Sequence, residues 1–177
     1  DITNLIPKLE GFRILYIEDD SDVRDSMMNY LRKLDVPVYE GRDGEEGWEL
    51  YERHKPDIMI IDLKMPRLNG IDLAKRIRET DNRTQIVILT AYTEPEYMIE
   101  AVELNIARYL VKPISKATLL PAIEKCVDAL TIEKKHPAEF DFGEGCSYNF
   151  KRKVLQKNGE AIKVNKREIA IVELFIE

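Results

Sequence analysis

The stretch Asp57-Ile58-Met59-Ile60-Ile61, followed by Asp62-Leu63-Lys64-Met65-Pro66 and then Gly70, decides how the rest of the chain reads. A nearly unbroken apolar run of this length describes a strand buried on both faces, as in a parallel sheet covered by helices. An aspartate follows it, and proline and glycine then mark a turn. Working outward, short apolar runs alternate with longer stretches whose apolar residues fall three or four apart, the pattern of strands joined by crossover helices. Upstream, Arg13-Ile14-Leu15-Tyr16-Ile17 is a first strand running into Glu18-Asp19-Asp20, after which Val23, Met27, Tyr30, Leu31 and Leu34 line one helical face. A second strand around Val36–Glu40 leads to a helix through about His54, opened by Asp43 and Glu46 at capping-box spacing.

Downstream, Ile71, Ala74 and Ile77 face inward on a helix, and Gln85-Ile86-Val87-Ile88-Leu89 is the fourth strand. Thr93-x-x-Glu96 opens the next helix, with Pro95 in its first turn, where a missing N–H costs little. Asn105 sits where a helix ends in a left-handed residue, Ala107–Val111 is the fifth strand, and Ser115 caps a last helix carrying Leu119, Ile123, Val127 and Leu130. The expectation is an α/β fold, a (βα)5 doubly wound parallel sheet, with its site outside the carboxyl ends of the strands.

From about residue 132 the texture changes. Residues 1–132 read as one domain and residues 133–138, ending near Pro137, as a linker. Residues 139–177 read as a small antiparallel sheet and one helix. Phe140 with Phe142, Tyr148 with Phe150, and Val154 with Gln156 alternate as strands do, and Lys157-Asn158-Gly159-Glu160 is a hairpin turn. Asn165-x-x-Glu168 has the spacing of a helix start, with Ile169, Val172 and Phe175 on one face.

Composition sets limits on function. Hydrophobic residues at 44% and charged residues at 34% predict a compact core rather than disorder. The net charge of −6 argues against a surface that wraps nucleic acid throughout. Residues 1–132 carry 18 basic and 25 acidic side chains, and residues 133–177 nine and eight, so the tail is close to neutral. Two cysteines far apart, Cys126 and Cys146, exclude a disulfide framework and a cysteine zinc site and fit a reducing compartment. No apolar run is long enough for a membrane span, no signal-like segment opens the chain, and a cytoplasmic protein is expected. The chain opens on Asp1 rather than Met, as one trimmed at its start would.

The strand ends carry the chemistry. The first closes on Glu18-Asp19-Asp20, the third on Asp62, the fourth on Thr90-Ala91 and the fifth on Lys112-Pro113. Converging carboxylates call for a cation, and their oxygens with water complete the octahedral shell of Mg²⁺. A lysine and a hydroxyl beside them add a positive charge and a donor for an anion, so the set can hold a phosphoryl group on a carboxylate.

In that order and at those places, the residues resemble the receiver domain of two-component response regulators, the CheY-like fold, over about residues 12–131. The resemblance implies that Asp62 is the phosphoacceptor, attacking a phosphohistidine on a sensor histidine kinase. Asp19 would bind Mg²⁺ directly and Glu18 through water, with Asp62 and the backbone carbonyl of Lys64 as further ligands. Thr90 would donate its hydroxyl to the phosphoryl group and Lys112 would pair with another oxygen. Tyr109 resembles the aromatic switch that follows Thr90, and the Lys112-Pro113 bond is expected to be cis. Asp20 reads as an extra surface charge, Trp48 and the methionines as packing, and His54 and His136 as unconnected with any site.

Residues 140–177 resemble the start of the winged-helix output domain of OmpR/PhoB-type transcription regulators. That resemblance implies DNA binding and possible homodimerisation in a longer parent; this chain stops before the recognition helix and wing, and is not expected to read a major groove. Two departures stand out: Ile114 replaces the phenylalanine usual after the proline, and the charged dimer pattern on the helix opened at Thr93-x-x-Glu96 and on the fifth strand is not evident. Two other readings stay open. One is an interaction or dimerisation module working without phosphorylation. The other is an aspartyl-phosphate phosphatase of the haloacid-dehalogenase kind, against which stands Lys64 in the place of the second aspartate.

In receivers the second residue after the phosphoacceptor and the second after the threonine flank the path of the hydrolytic water. Here these are Lys64 and Tyr92, both large, and a shielded, long-lived phosphoaspartate is expected. Mass measurement over time should show slower loss of the phosphoryl group from the wild type than from a Lys64→Ala, Tyr92→Ala double variant; the reverse order would overturn the reading.

Overall fold

The doubly buried run forms a strand with a neighbour on each side, and the elements fall around it in alternation. In chain order they are α1 (Ile2–Leu9), β1 (Ile14–Ile17), α2 (Ser21–Leu31, continued by a 3-10 turn Arg32–Leu34), β2 (Val38–Gly41), α3 (Gly44–His54), β3 (Ile58–Asp62), α4 (Gly70–Arg78), β4 (Gln85–Thr90), α5 (Pro95–Glu103), β5 (Arg108–Val111) and α6 (Lys116–Lys135). The five strands are parallel in the order β2-β1-β3-β4-β5. This computed structural model describes residues 2–91, 95–135, 139–149, 154–165 and 167–169. The Thr93-x-x-Glu96 cap and Tyr92 lie outside the described positions or side chains, as do His136, Phe150, Val172 and Phe175. No described helix is long and apolar enough to cross a membrane.

Alternation along the strands sends side chains to two cores. Ile14, Ile60 and Val87 face one side with α1, α2 and α6, where Met28, Ile123 and Val127 complete a buried cluster. Leu15, Ile61 and Ile88 face the other with α3, α4 and α5, where Tyr51, Leu73 and Ile77 are buried. Each such aliphatic side chain stabilises the fold by about 1.5–3 kcal/mol relative to exposure.

Several local details differ from the sequence reading. Helix α1 is not foreseen by a reading that starts at Arg13, yet Leu5, Leu9 and Phe12 are buried in the first core. Ile2, Leu5 and Leu9 have helical spacing; Pro7, in so short a window, hides the signal. β2 begins at Val38 rather than Val36, because Pro37 has no N–H to give a ladder and contributes only its carbonyl, to Ile14 N at 3.0 Å. At the head of α3, Asp43 accepts the Glu46 N–H, but Glu46 returns to the Arg42 N–H rather than to Asp43. Ser115 opens α6 through its carbonyl, and the Thr118 hydroxyl accepts the Ser115 N–H. Asp20 is not merely a surface charge: its carboxylate caps α2, accepting from the N–H groups of Asp22 and Val23. Asn105 does adopt the left-handed conformation, and the Lys112-Pro113 bond is cis. His54 stacks on Tyr39, and Trp48 carries the Arg76 guanidinium over its ring.

The chain divides into two compact units, Asp1–Leu130 and Thr131–Glu177. Helix α6 runs on to Lys135, through the first residues of the segment read as linker. In the second unit, β6 (Glu139–Gly143), β7 (Cys146–Asn149), β8 (Val154–Lys157) and β9 (Glu160–Ile162) form an antiparallel sheet in sequence order. Asn158 and Gly159, at φ 53° and 83°, make the turn their dipeptide predicts. Asn165 and Glu168 exchange a full capping box: Asn165 Oδ1 accepts the Glu168 N–H, and Glu168 Oε2 accepts the Asn165 N–H.

Gly70 fixes the approach of α4 to the end of β3. Its N–H donates to the Leu63 carbonyl at 2.9 Å, and a Cβ there would lie 2.5 Å from the carbonyl oxygen of Asp62. Gly70→Ala is therefore expected to cost about 1–3 kcal/mol in urea unfolding. An unchanged midpoint would mean that α4 can retreat from β3 freely.

Candidate functional site

The order β2-β1-β3-β4-β5 places the point where the strand order reverses between β1 and β3, where open α/β sheets carry their sites. Ile17 pairs with Ile61, so Glu18 and Asp62 leave neighbouring strand ends side by side. Lys112 follows β5, and its Nζ stands 2.7 Å from Glu18 Oε2 and 2.8 Å from Asp62 Oδ1. Glu18 and Asp62 are buried, at 2% and 5% exposure, while Asp19 faces solvent. One carboxylate oxygen from each of Glu18, Asp19 and Asp62 falls within 4.8 Å of the others.

The backbone of the acidic loop is held from behind. Glu18 N–H donates to the Gly41 carbonyl, and Arg24 Nη1 donates to the Glu18 carbonyl at 2.8 Å and to that of Asp19 at 3.4 Å. Thus the carboxylates are free to face forward while the main chain that carries them is tied down. Beneath them lies Tyr16, fully buried, whose hydroxyl donates to Glu18 Oε2 at 3.4 Å. On the β4 side of Asp62, the Leu63 N–H donates to the Leu89 carbonyl at 2.7 Å; in the loop after β3, Arg67 pairs with Asp43.

Electrostatics follow from this crowding. Burial raises the Asp62 carboxyl, hydrogen bonding and charge from Lys112 pull it back, Glu18 and Asp19 push it up, and the balance stands at about 6. For Lys112 burial works against the ammonium, but the hydrogen bonds it donates to the two carboxylates, with their charge, outweigh it and the value rises. Burial, with the Glu18 charge close by, raises the Tyr16 phenol and keeps it a donor. Three acids against one lysine leave the mouth electronegative. Hard carboxylate oxygens so disposed suit a divalent cation of the Mg²⁺ or Ca²⁺ kind rather than a soft metal.

Of the residues singled out in the sequence, Glu18, Asp19, Asp62 and Lys112 come together. Thr90 is buried at the end of β4, and its carbonyl accepts the Lys112 N–H at 2.7 Å. Tyr109 pairs with Ile88 in the register and so shares a sheet face with Thr90; it is half-buried against the second core. The Lys64 side chain is exposed. Arg24 and Tyr16 were missed; Asp20, read as a surface charge in an acidic run that could also cap the first helix, is itself the cap. Only Asp20, one residue before a helix start, left a signal in the sequence.

A doubly wound 2-1-3-4-5 sheet with an acid trio at its central strand ends and a lysine reaching it from the end of edge strand β5 defines a CheY-like receiver. The chain belongs to the response regulator receiver domain family, matching it over residues 14–124. Such a domain is not a turnover enzyme. The transcriptional regulatory protein PdtaR of Mycobacterium tuberculosis is 40% identical over 116 residues, 65% of this chain and 56% of that protein. The chain spans about half the length of the curated relatives it matches, 56% and 48% in two of them. Among solved structures, the N-terminal domain of an uncharacterized protein from Wolinella succinogenes is 31% identical, with a TM-score of 0.64, covering 70% of this chain and 99% of that one. The response regulator DrrB of Thermotoga maritima, an OmpR/PhoB homolog, is 21% identical with a TM-score of 0.58, covering 93% of this chain and 72% of its own; at that identity the likeness is one of fold.

The raised Asp62 value has a sign that can be tested without metal. An acid held near 6 when folded, against about 4 when unfolded, loses stability as pH rises through that window and stays lower above it. In chelator, Asp62→Asn should therefore unfold at higher urea than the wild type at pH 7. The gain should be about 1–2 kcal/mol after allowance for solvent screening, and should vanish near pH 4. An equal gain at both pH values would show that the charge is not its cause.

Proposed function

We propose that this chain is the receiver-bearing part of a transcription-regulating response regulator that takes a phosphoryl group on Asp62 from a sensor histidine kinase. The observation that supports this best is the placement of Lys112 Nζ between Glu18 and Asp62 inside the carboxylate trio. In this reading an Asp62 oxygen attacks the phosphorus of a phosphohistidine, the P–N bond breaks, and the imidazole leaves with its electron pair. Mg²⁺, held by Asp19, Asp62, the Lys64 carbonyl and, through water, Glu18, would supply charge neutralisation for the phosphoryl oxygens. Lys112 orients and balances a second oxygen, and Thr90 donates its hydroxyl to a third. Tyr109, on the same sheet face as Thr90, then turns inward and biases α5 and β5 between two states.

The second unit is read here as the start of a winged-helix output domain. Its support is the four-stranded antiparallel sheet, the Asn165–Glu168 capping box and the fold likeness that extends over 93% of the chain. DNA binding would belong to the complete output domain, and a cytoplasmic location is part of the reading, in keeping with the free thiols of Cys126 and Cys146. A homodimer is a further possible state of the parent. The reading as an interaction module draws on one feature: α5 exposes Met98, Ile99 and Val102, at 49%, 62% and 80%.

Intact mass after incubation with Mg²⁺ and acetyl phosphate tests the main reading. A gain of one phosphoryl group in the wild type, absent in Asp62→Ala and abolished by chelator, is expected. No gain under any condition would leave the interaction module as the better description.

A further inference from the structure

Tyr16 has a feature that packing does not explain. It stands in β1 with no exposure, on the apolar face it shares with Ile14, Ile60 and Leu89. A phenylalanine would fill the same space without bringing a hydroxyl that must be hydrogen-bonded when buried. That hydroxyl points to the carboxylate of Glu18, donating to Oε2 at 3.4 Å, where Lys112 Nζ also donates at 2.7 Å. The other oxygen, Oε1, faces the Asp20 N–H at 3.4 Å and keeps lone pairs for a cation or its water.

Two donors on one oxygen have a consequence. Glu18 is buried, and if Lys112 were its one donor there, any movement of the ammonium toward Asp62 would strand an acceptor at a cost of about 1–3 kcal/mol. With Tyr16 in place, Lys112 can turn to Asp62 or to a group carried on it while Glu18 stays oriented.

We propose that Tyr16 is a positioning residue for the cation site: its hydroxyl acts through Glu18 to set the affinity of the carboxylate trio for a divalent metal, and takes no part in phosphoryl transfer itself. This rests on the receiver reading of the preceding subsection.

The test is a Mg²⁺ titration of the metal-free chain by calorimetry, together with phosphorylation by acetyl phosphate as a function of Mg²⁺. Tyr16→Phe should keep the urea midpoint of the wild type in chelator. It should weaken Mg²⁺ binding about tenfold, the lower end for partners behind metal ligands. The Mg²⁺ needed for half-maximal phosphorylation should rise by the same factor, with the rate at saturating Mg²⁺ unchanged. In a Glu18→Asp background, where the carboxylate is one methylene shorter and beyond the hydroxyl's reach, Tyr16→Phe should have no effect on affinity. Unchanged affinity in the first background, an equal loss in both, or a loss confined to the saturated rate would each overturn the proposal. A wild type that binds no Mg²⁺ would take down the receiver reading, and this inference with it.

Discussion

The ammonium of Lys112 lies within 2.8 Å of two carboxylates that are almost wholly buried, Glu18 and Asp62. Taking a carboxylate out of water costs several kcal/mol even after relaxation, and two side by side add their repulsion. The fold tolerates the pair because one lysine serves both. It also leaves the account of charge unfinished, since Asp19 brings a third acid to the same place. The site is thus stable enough to form and electronegative enough to attract a cation. Both properties come from the sheet order, which makes β1 and β3 neighbours and brings β5 close enough for a long side chain to reach across.

Around this centre the main chain does much of the positioning. Arg24 holds the acidic loop by its carbonyls, Asp20 ties the same loop to the first turn of α2, and Gly70 lets α4 come against the last residue of β3. None of these groups competes for the carboxylate oxygens of Asp62. A backbone tied down by groups that leave the Asp62 oxygens to Lys112 is what a site needs if charge is to arrive and leave without refolding the loops.

The parallel sheet was legible because strands buried on both faces leave long apolar runs, as in 58–61 and 86–89. Its site was legible for a related reason: in such a sheet every strand points one way, so residues that close successive apolar runs must meet at one edge. Glu18, Asp62, Thr90 and Lys112 needed only that rule. The Asn158-Gly159 turn was legible from its dipeptide alone. What stayed hidden depends on partners distant in sequence or on competition between close ones. Tyr16 reads as one more apolar strand residue until Glu18 is seen above it. Arg24 looks like an exposed helix charge until its guanidinium is traced to the loop carbonyls. Glu46 has the spacing to close its own box, yet the Arg42 N–H is the one its carboxylate meets.

Helix α1 places the edge of the folding unit outside the segment shared with the family. That segment begins at residue 14, whereas Leu5 and Leu9 are already part of the first core and Lys8 reaches Glu124 on α6. For chimeras in which this receiver is moved onto a foreign output domain, residues 2–12 are cargo rather than leader. A graft joined at residue 13 would open the apolar floor under α2 and α6 to water, and would confuse a loss of core with a failure of signalling.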